Sequence, residues 1–433
     1  MSDKSQQDHR SVGVAVLGHG TVGSEVLRLI GEYSEDLTHR IGGTLDIKGV
    51  AVSDLEKHKD SPAAHLMTTD AMSLIERDDV DIVVEVIGGI DYPRQLVLAA
   101  LNAGKSVITA NKALVAAHSA ELDDAADRAG VDLYYEAAVA AAIPVIGPLR
   151  RSLAGDRVVA VKGIVNGTTN FILDAMDSTG ASYDDMLAEA TRLGYAEADP
   201  TADVEGHDAA SKAAILASLA FHTRVTADDV YCEGISKITA DDINAAKKAG
   251  QTIKLLAICE RNGDKVSARV HPTLIPREHP LASVSQSFNA IFVEAEAAGR
   301  LMFYGNGAGG APTASAVLGD LVGAARNKVH GGRAPGASTY ANLEIADFGE
   351  VETRYHVDMD VDDQLGVLAR IADQFSGAGI SLRTVRQEEK GDNARLIVVT
   401  HHAPERDLAG VVEKLKAMDE VKSVNSVIRL ESE

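Results

Sequence analysis

The residues predict an α/β chain in three parts: a doubly wound parallel sheet, an α+β domain, and a small βαββαβ unit at the C-terminal end. Two observations carry most of this. Short apolar runs alternate with helix-length segments over residues 1–148, and from residue 351 strand-like and helix-like segments follow in a different order. A third is the turn GHGTVG at 18–23, directly after the first apolar run.

VGVAVL, 12–17, stops at that turn and continues into VLRLIGEY, which reads as strand, glycine turn and helix. LDIKGVAVSD at 45–54 is a second strand by the same pattern. VDIVVEVIGG (80–89), SVITAN (106–111) and VDLYYEAAVA (131–140) read as further buried strands, with helical spacing in YPRQLVLAALNAG and SAELDDAADRAG. Strands alternating with helices imply a parallel sheet, so residues 1–148 are expected to form a Rossmann-type dinucleotide-binding domain. After Arg150 and Arg151 glycine turns at strand ends become fewer, and 149–320 reads as an α+β domain. The stretch 304–325 is glycine-rich and then helical, so residues 305–330 are expected to complete the first domain. Residues 326–350 are polar and read as a linker. In 351–433, VETRYHVDMDV, ISLRTVRQEE, ARLIVVTHHA and VKSVNSVIRL are strands around the helices QLGVLARIADQFSGAG and ERDLAGVVEKLKAM, the ferredoxin-like order.

Apolar residues at 45% and charged residues at 24% describe a globular chain rather than a disordered one. Lys+Arg 42 against Asp+Glu 64 leaves a net charge of −22, which repels phosphate backbones and argues against nucleic acid as a partner. Cys232 and Cys259 form no CxxC pair, so neither a disulfide scaffold nor a thiolate zinc site is expected. No apolar run reaches the roughly 18 residues that span a bilayer. The start, MSDKSQQDHR, is polar, lacks a signal-peptide core and reads as a disordered lead-in. A soluble, cytoplasmic protein is the expectation.

GHGTVG fits GxGxxG, with Gly18 for the tight turn, Gly20 for close approach of a pyrophosphate and Gly23 for helix packing. The helix N-terminus that follows favours phosphate. Asp54 is available for an adenosine ribose and Arg40 for a 2′-phosphate, which leaves NAD and NADP both open. Lys112 stands just past SVITAN, at the carboxyl edge where open parallel sheets bind ligands; a solvated loop lysine is the other reading. Glu136 precedes AAVAAAIPV, whose small side chains let carbonyls turn toward a hard cation; close packing under the sheet is the other reading. NGTTNFI, 166–172, is either a helix cap or a turn that hydrogen-bonds substrate.

The segment 194–222 concentrates chemistry. Glu197, Asp199, Asp203, Glu205 and Asp208 fall within twelve residues, and from Ala209 to Phe221 only Ser211, Lys212 and Ser218 are not apolar. A helix apolar nearly all round is buried, so Asp208 and Lys212, four apart, share one poorly solvated face. A lysine amine held there beside carboxylates can give and take a proton. The bland alternative is an exposed ion pair worth a few tenths of a kcal/mol.

Taken together, GHGTVG, EVIGG, TANKALVA, YEAAVAAAIPVIGPLR, GIVNGTTNFIL, GYAEADPTADVEGHDAASKAAILA and YGNGAGGAPTASAV resemble the monofunctional homoserine dehydrogenases with a C-terminal ACT domain. The resemblance runs from Val12 over almost the whole chain. No aspartate-kinase segment precedes the glycine turn, so the bifunctional form is not expected. The resemblance implies reversible hydride transfer, with NADP(H) or NAD(H), between L-homoserine and L-aspartate 4-semialdehyde, on the way to threonine and methionine. It makes Lys212 the general acid/base with Lys112 and Asp208 as further catalytic residues, and implies that Asp208, Glu197, Asp203, Lys112 and Thr168 hold substrate. It places the cofactor on Gly18, Gly20, Thr21, Val22, Gly23, Gly88, Thr109, Lys112, Gly194, Glu197 and Gly307. A monovalent cation, Na+ or K+, is implied at Glu136, Val139, Ala141 and Ile143. There Ala140-Ala141-Ala142 stands where the family carries one or two glycines, which weakens the site if Ala141 needs a glycine-like conformation. The 149–320 part is implied to bind substrate and dimerise, giving a homodimer or homotetramer. The ACT part, with Gly377 and Gly379 near the ligand's approach, implies feedback inhibition by L-threonine. Two other classes remain: a semialdehyde-oxidising dehydrogenase, which needs a cysteine nucleophile, and a non-catalytic nucleotide and amino-acid sensor.

Overall fold

The computed structural model describes residues 10–336, 339–390 and 393–431; the lead-in 1–9 lies outside the described residues. The chain packs as two units. One comprises Met1–Val158, Ala214–Ala227 and Asn289–Asn342, the other Val159–Ala213, Asp228–Phe288 and Leu343–Glu433.

The first unit is built on six parallel strands: β1 (Arg10–Leu17), β2 (Gly43–Ala51), β3 (Met67–Thr68), β4 (Ile82–Glu85), β5 (Ser106–Thr109) and β6 (Leu133–Tyr134), in the order β3-β2-β1-β4-β5-β6. The order reverses between β1 and β4, and such a switch point opens a crevice at the carboxyl ends. Leu17 pairs with both Ala51 and Glu85, so the chain leaves β1, β2 and β4 at one level. Val14, Val16, Ile82, Val84 and Ile108 are fully buried between the strands and two helices, Thr21–Glu32 and Gly310–His330. The second of these brings Ala314, Val317 and Leu321 into this core, far from it in sequence. It continues to His330, into the stretch whose polarity suggests a linker, because Val329 still packs on the core. β6 is shorter than expected. After Tyr134 the chain turns through a short 3-10 segment, and Ala140 and Ala141 take φ of 55° and 45°.

The second unit carries β7 (Val158–Ile164), β8 (Tyr231–Cys232), β9 (Gln251–Asn262) and β10 (Lys265–Pro276), with β9 antiparallel to both β7 and β10. Its C-terminal part adds β11 (Tyr355–Asp362), β12 (Leu382–Lys390), β13 (Asn393–Thr400) and β14 (Val421–Leu430) in the order β14-β11-β13-β12. The alternation along β13 turns Ala394, Leu396 and Val398 onto the helices Val367–Gly377 and Glu405–Lys416, where Ile371, Phe375, Leu408 and Val411 complete a core. β14 pairs with β10 through Thr273–Arg429 and Leu274–Leu430, so the sheet is continuous through this unit. Among the described residues no helix is long and apolar enough to cross a membrane.

Candidate active site

In the first unit the glycine turn has three separate reasons for its glycines. Gly18 has φ of +109°, and a Cβ there would lie 2.7 Å from the carbonyl oxygen of Val86. At Gly23 a Cβ would lie 2.1 Å from the carbonyl oxygen of Gly18. At Gly20 a Cβ would meet nothing, which marks open space in front of the helix. Gly20 is also the N-cap of that helix and offers no side chain to its first amides, so the N–H groups of the turn Thr21–Val22 remain for a ligand. Gly23→Ala is expected to cost about 1–3 kcal/mol of stability by overpacking and to weaken dinucleotide binding, measured by thermal unfolding and cofactor titration.

A groove of about 420 Å³ opens beside this turn, lined by His19, Gly20, Ser53, Lys57, His58 and Tyr92 among others. Burial, and then the charge of His58, hold His19 below its ordinary value. Arg40 takes no part, which corrects the expectation. It sits in the last turn of the helix Ser34–Ile41, paired with Asp36 at 2.5 Å, where β2 begins rather than where it ends. Asp54 accepts the amide hydrogens of Glu56 and Lys57 and so serves as a turn cap.

At the end of β4, Glu85 is fully buried and holds the crevice together. Its carboxylate accepts from the amides of Ile87 (2.8 Å) and Gly88 (3.4 Å) and from the hydroxyl of Thr109 (2.6 Å). The Thr109 hydroxyl also accepts from the Asn111 amide, so it faces inward rather than toward a cofactor. Asn111 caps the helix Lys112–Ala129 and donates to the carbonyl of Gly89, which fixes Lys112 at the first turn beside the glycines of the β4 exit. Gly307 is packed against Asn289, whose amide nitrogen lies 2.0 Å from where a Cβ would stand.

Glu136 braces a turn. Its carboxylate accepts from the amides of Val145 (2.7 Å), Ile146 (2.7 Å) and Gly147 (2.6 Å). Its own amide donates to Asp320, which burial pushes up to about 8. What is left for an ion is the set of carbonyls of Val139, Ala141 and Ile143. These residues are buried, and among the described residues no hydrogen bond reaches their carbonyl oxygens. Buried carbonyls are rarely left so, and a set placed like this could hold a hard cation. Among the described residues no three His, Cys, Asp or Glu side chains gather as for a transition metal.

The second unit holds the buried lysine and its carboxylates. β7 runs out at Val165, and Asn166 caps the helix Gly167–Thr179 by accepting from the amide of Thr169 at 2.9 Å. The amide nitrogen of the same side chain donates to Asp203 (2.7 Å) and Asp208 (3.0 Å). Lys212 donates to Asp208 (2.7 Å) and to the carbonyl of Val165 (2.6 Å). Asp208 and Lys212 are each 7% exposed, so the solvated-pair alternative is gone. Removing such a pair from water costs several kcal/mol per ion unless further hydrogen bonds hold it, and Asn166 and Val165 supply them. Gly206, at φ of +84°, starts the helix His207–Phe221 that spaces Asp208 and Lys212 one turn apart. Thr168 donates to the carbonyl of Tyr195 (2.6 Å), which ties the acidic loop to the Asn166 helix. Gly194, at φ of +79°, caps the helix before that loop. Glu197 is exposed on the loop and is not hydrogen-bonded to Asp208 or Lys212. Two residues escaped sequence reasoning: Asn166 as the bridge between the two carboxylates, and Glu85.

Neither cysteine is placed as an activated nucleophile should be. Burial pushes the Cys232 thiol up to about 11, and Cys259 is buried with its thiol on the carbonyl of Ala213. A dinucleotide groove in one unit and a buried lysine–carboxylate cluster in the other define the class: an oxidoreductase that uses a nicotinamide cofactor and needs no cysteine.

Comparison with known proteins narrows the class. Residues 144–322 match the family described as homoserine dehydrogenase, 18–136 the homoserine dehydrogenase NAD-binding domain and 355–420 the ACT domain. The homoserine dehydrogenase of Corynebacterium glutamicum is 75% identical over 426 residues, covering 97% of this chain and 96% of that one. That of Mycobacterium tuberculosis is 58% identical, covering 98% of each. The crystal structure of a homoserine dehydrogenase from Thiobacillus denitrificans superposes with a TM-score of 0.93 at 39% identity, covering 98% of this chain and 99% of that one. The chain belongs to the homoserine dehydrogenase family, oxidoreductases dependent on NAD or NADP.

Proposed function

We propose that the chain reduces L-aspartate 4-semialdehyde to L-homoserine, and the reverse, with Lys212 as the acid/base. One observation carries this reading: two of the three ammonium hydrogens of Lys212 are given to Asp208 and Val165, which leaves one for a bound oxygen. The bound nicotinamide supplies the hydride to the aldehyde carbon. Lys212 gives its remaining proton to the carbonyl oxygen as negative charge develops there, so the aldehyde becomes the alcohol. Asp208 holds the amine in place, and Asp203 with Asp208 attracts the substrate's ammonium group. Incubation with L-homoserine and NADP at alkaline pH is expected to raise absorbance from the reduced nicotinamide. A semialdehyde-oxidising enzyme or a sensor leaves that mixture unchanged.

NADP is the cofactor that the groove favours. Lys57 and His58 line it where β2 ends, no carboxylate does, and the carboxylate of Asp54 is taken up by backbone amides. The carbonyls of Val139, Ala141 and Ile143 hold a monovalent cation that stiffens the 136–147 turn. Left-handed alanine costs roughly 1–2 kcal/mol, so Ala141→Gly is expected to raise stability by about 0.5–1 kcal/mol and tighten cation binding, measured by melting with and without KCl. The ACT part pairs with a second copy and binds L-threonine near Gly379, beside the exposed Leu365 and Leu368. Light scattering and threonine inhibition of turnover test both.

A further inference from the structure

The face of the C-terminal sheet that turns away from its helices is not sealed. A cleft of about 360 Å³ lies between that face and the end of the helix Ala240–Lys248 with the neighbouring ends of β9 and β10, all within the second unit. This is within the size range of small-ligand sites. Its walls differ in character. Ile397, Val399, Leu430 and Pro276 make an apolar side. Lys248, Arg383, Arg386 and Arg395 make a cationic one, with Glu388 the one carboxylate among the lining residues.

Four cations in one cleft are unexpected on a chain of net charge −22. Their charge is only partly answered. Arg386 pairs with Glu388 at 2.6 Å, and Arg395 pairs with the buried Asp358 behind the wall. Among the described residues Lys248 and Arg383 have no carboxylate within ion-pair distance. Arg383 is also close enough to the buried Arg354 to disfavour the charge of that guanidinium, after burial itself. Like charges gathered in this way call for an anion between them. His356, 6% exposed, lines the same cleft, and its Nδ1 has no hydrogen-bond partner. A buried ring nitrogen left so is costly unless a ligand or water meets it.

We propose that this cleft binds a small organic or inorganic dianion, a dicarboxylate or a phosphate, with its charge on Lys248 and Arg383. A dicarboxylate's carbon chain would lie on Ile397 and Val399. The site shares no residue with the Lys212 cluster or with the Gly377–Gly379 edge. Its occupant joins the C-terminal sheet to the helix Ala240–Lys248, so binding stabilises the two against each other.

The test is calorimetric titration of the full chain with succinate and, separately, with inorganic phosphate. NADP is kept saturating so that the nucleotide groove is filled, and ionic strength is held constant with NaCl. Saturable binding of at least one anion is expected, and the tighter of the two identifies the ligand class. Lys248→Gln with Arg383→Gln is expected to weaken it at least tenfold, as loss of charge-assisted hydrogen bonds does. Thr384→Glu, which puts a carboxylate on the exposed edge strand of the cleft, is expected to abolish it. Turnover should stay unchanged in both variants. No saturable binding of either anion, or equal affinity in wild type and both variants, overturns the proposal.

Discussion

Lys212→Arg is expected to lower kcat by about two to four orders of magnitude while the protein stays folded. The guanidinium keeps the positive charge beside Asp208, so the buried carboxylate is not left unpaired. It cannot release a proton near neutral pH, because arginine does not deprotonate there. Lys212→Met goes further. It removes the cationic partner of Asp208, and breaking a buried pair costs about 3–5 kcal/mol. Methionine should therefore lose both activity and stability, and arginine activity alone. Steady-state kinetics with both substrates, alongside thermal melts, separate the two effects. Near-normal turnover in the arginine variant would remove Lys212 as the acid.

Asn166→Asp is the second large effect expected. Aspartate is as good an N-cap as asparagine, so the helix Gly167–Thr179 should keep its start. What it lacks is the NH2 group that bridges Asp203 and Asp208. A third carboxylate would face two others, with Lys212 the nearest cation. Like charges at that spacing raise one carboxyl's pKa or push the groups apart. The loss should fall on kcat/KM by roughly a hundredfold, with the melt lowered at neutral pH and recovered toward acid pH, where one carboxyl protonates. Asn166→Ala is the control: it loses the cap, about 1 kcal/mol, and adds no charge, so acid should not relieve its stability loss.

Much of this is legible in the sequence alone. The parallel sheet announced itself through alternating apolar runs, and a side chain at Gly18 or Gly23 would strike backbone, as the glycine pattern suggests. The pair Asp208–Lys212 was visible because four-residue spacing and an apolar run are local facts. Asn166 was not. In sequence it is a helix cap, and its carboxylate partners are 37 and 42 residues away. Glu85 reads as an ordinary residue at a strand end, since nothing local says that its side chain turns back under Ile87 and Gly88. Arg40 misled for a related reason: proximity to β2 in sequence does not say which edge of the sheet a side chain meets.

By itself, then, the order of residues determined the elements, the glycine turn and the presence of a lysine on a nearly dry helix, because periodicity and steric demands act over a few residues. Tertiary structure alone decided which groups meet that lysine, which carbonyls at 139–143 stay unbonded and which cations gather behind the C-terminal sheet. Those outcomes depend on contacts between segments tens to hundreds of residues apart, and no local pattern encodes them.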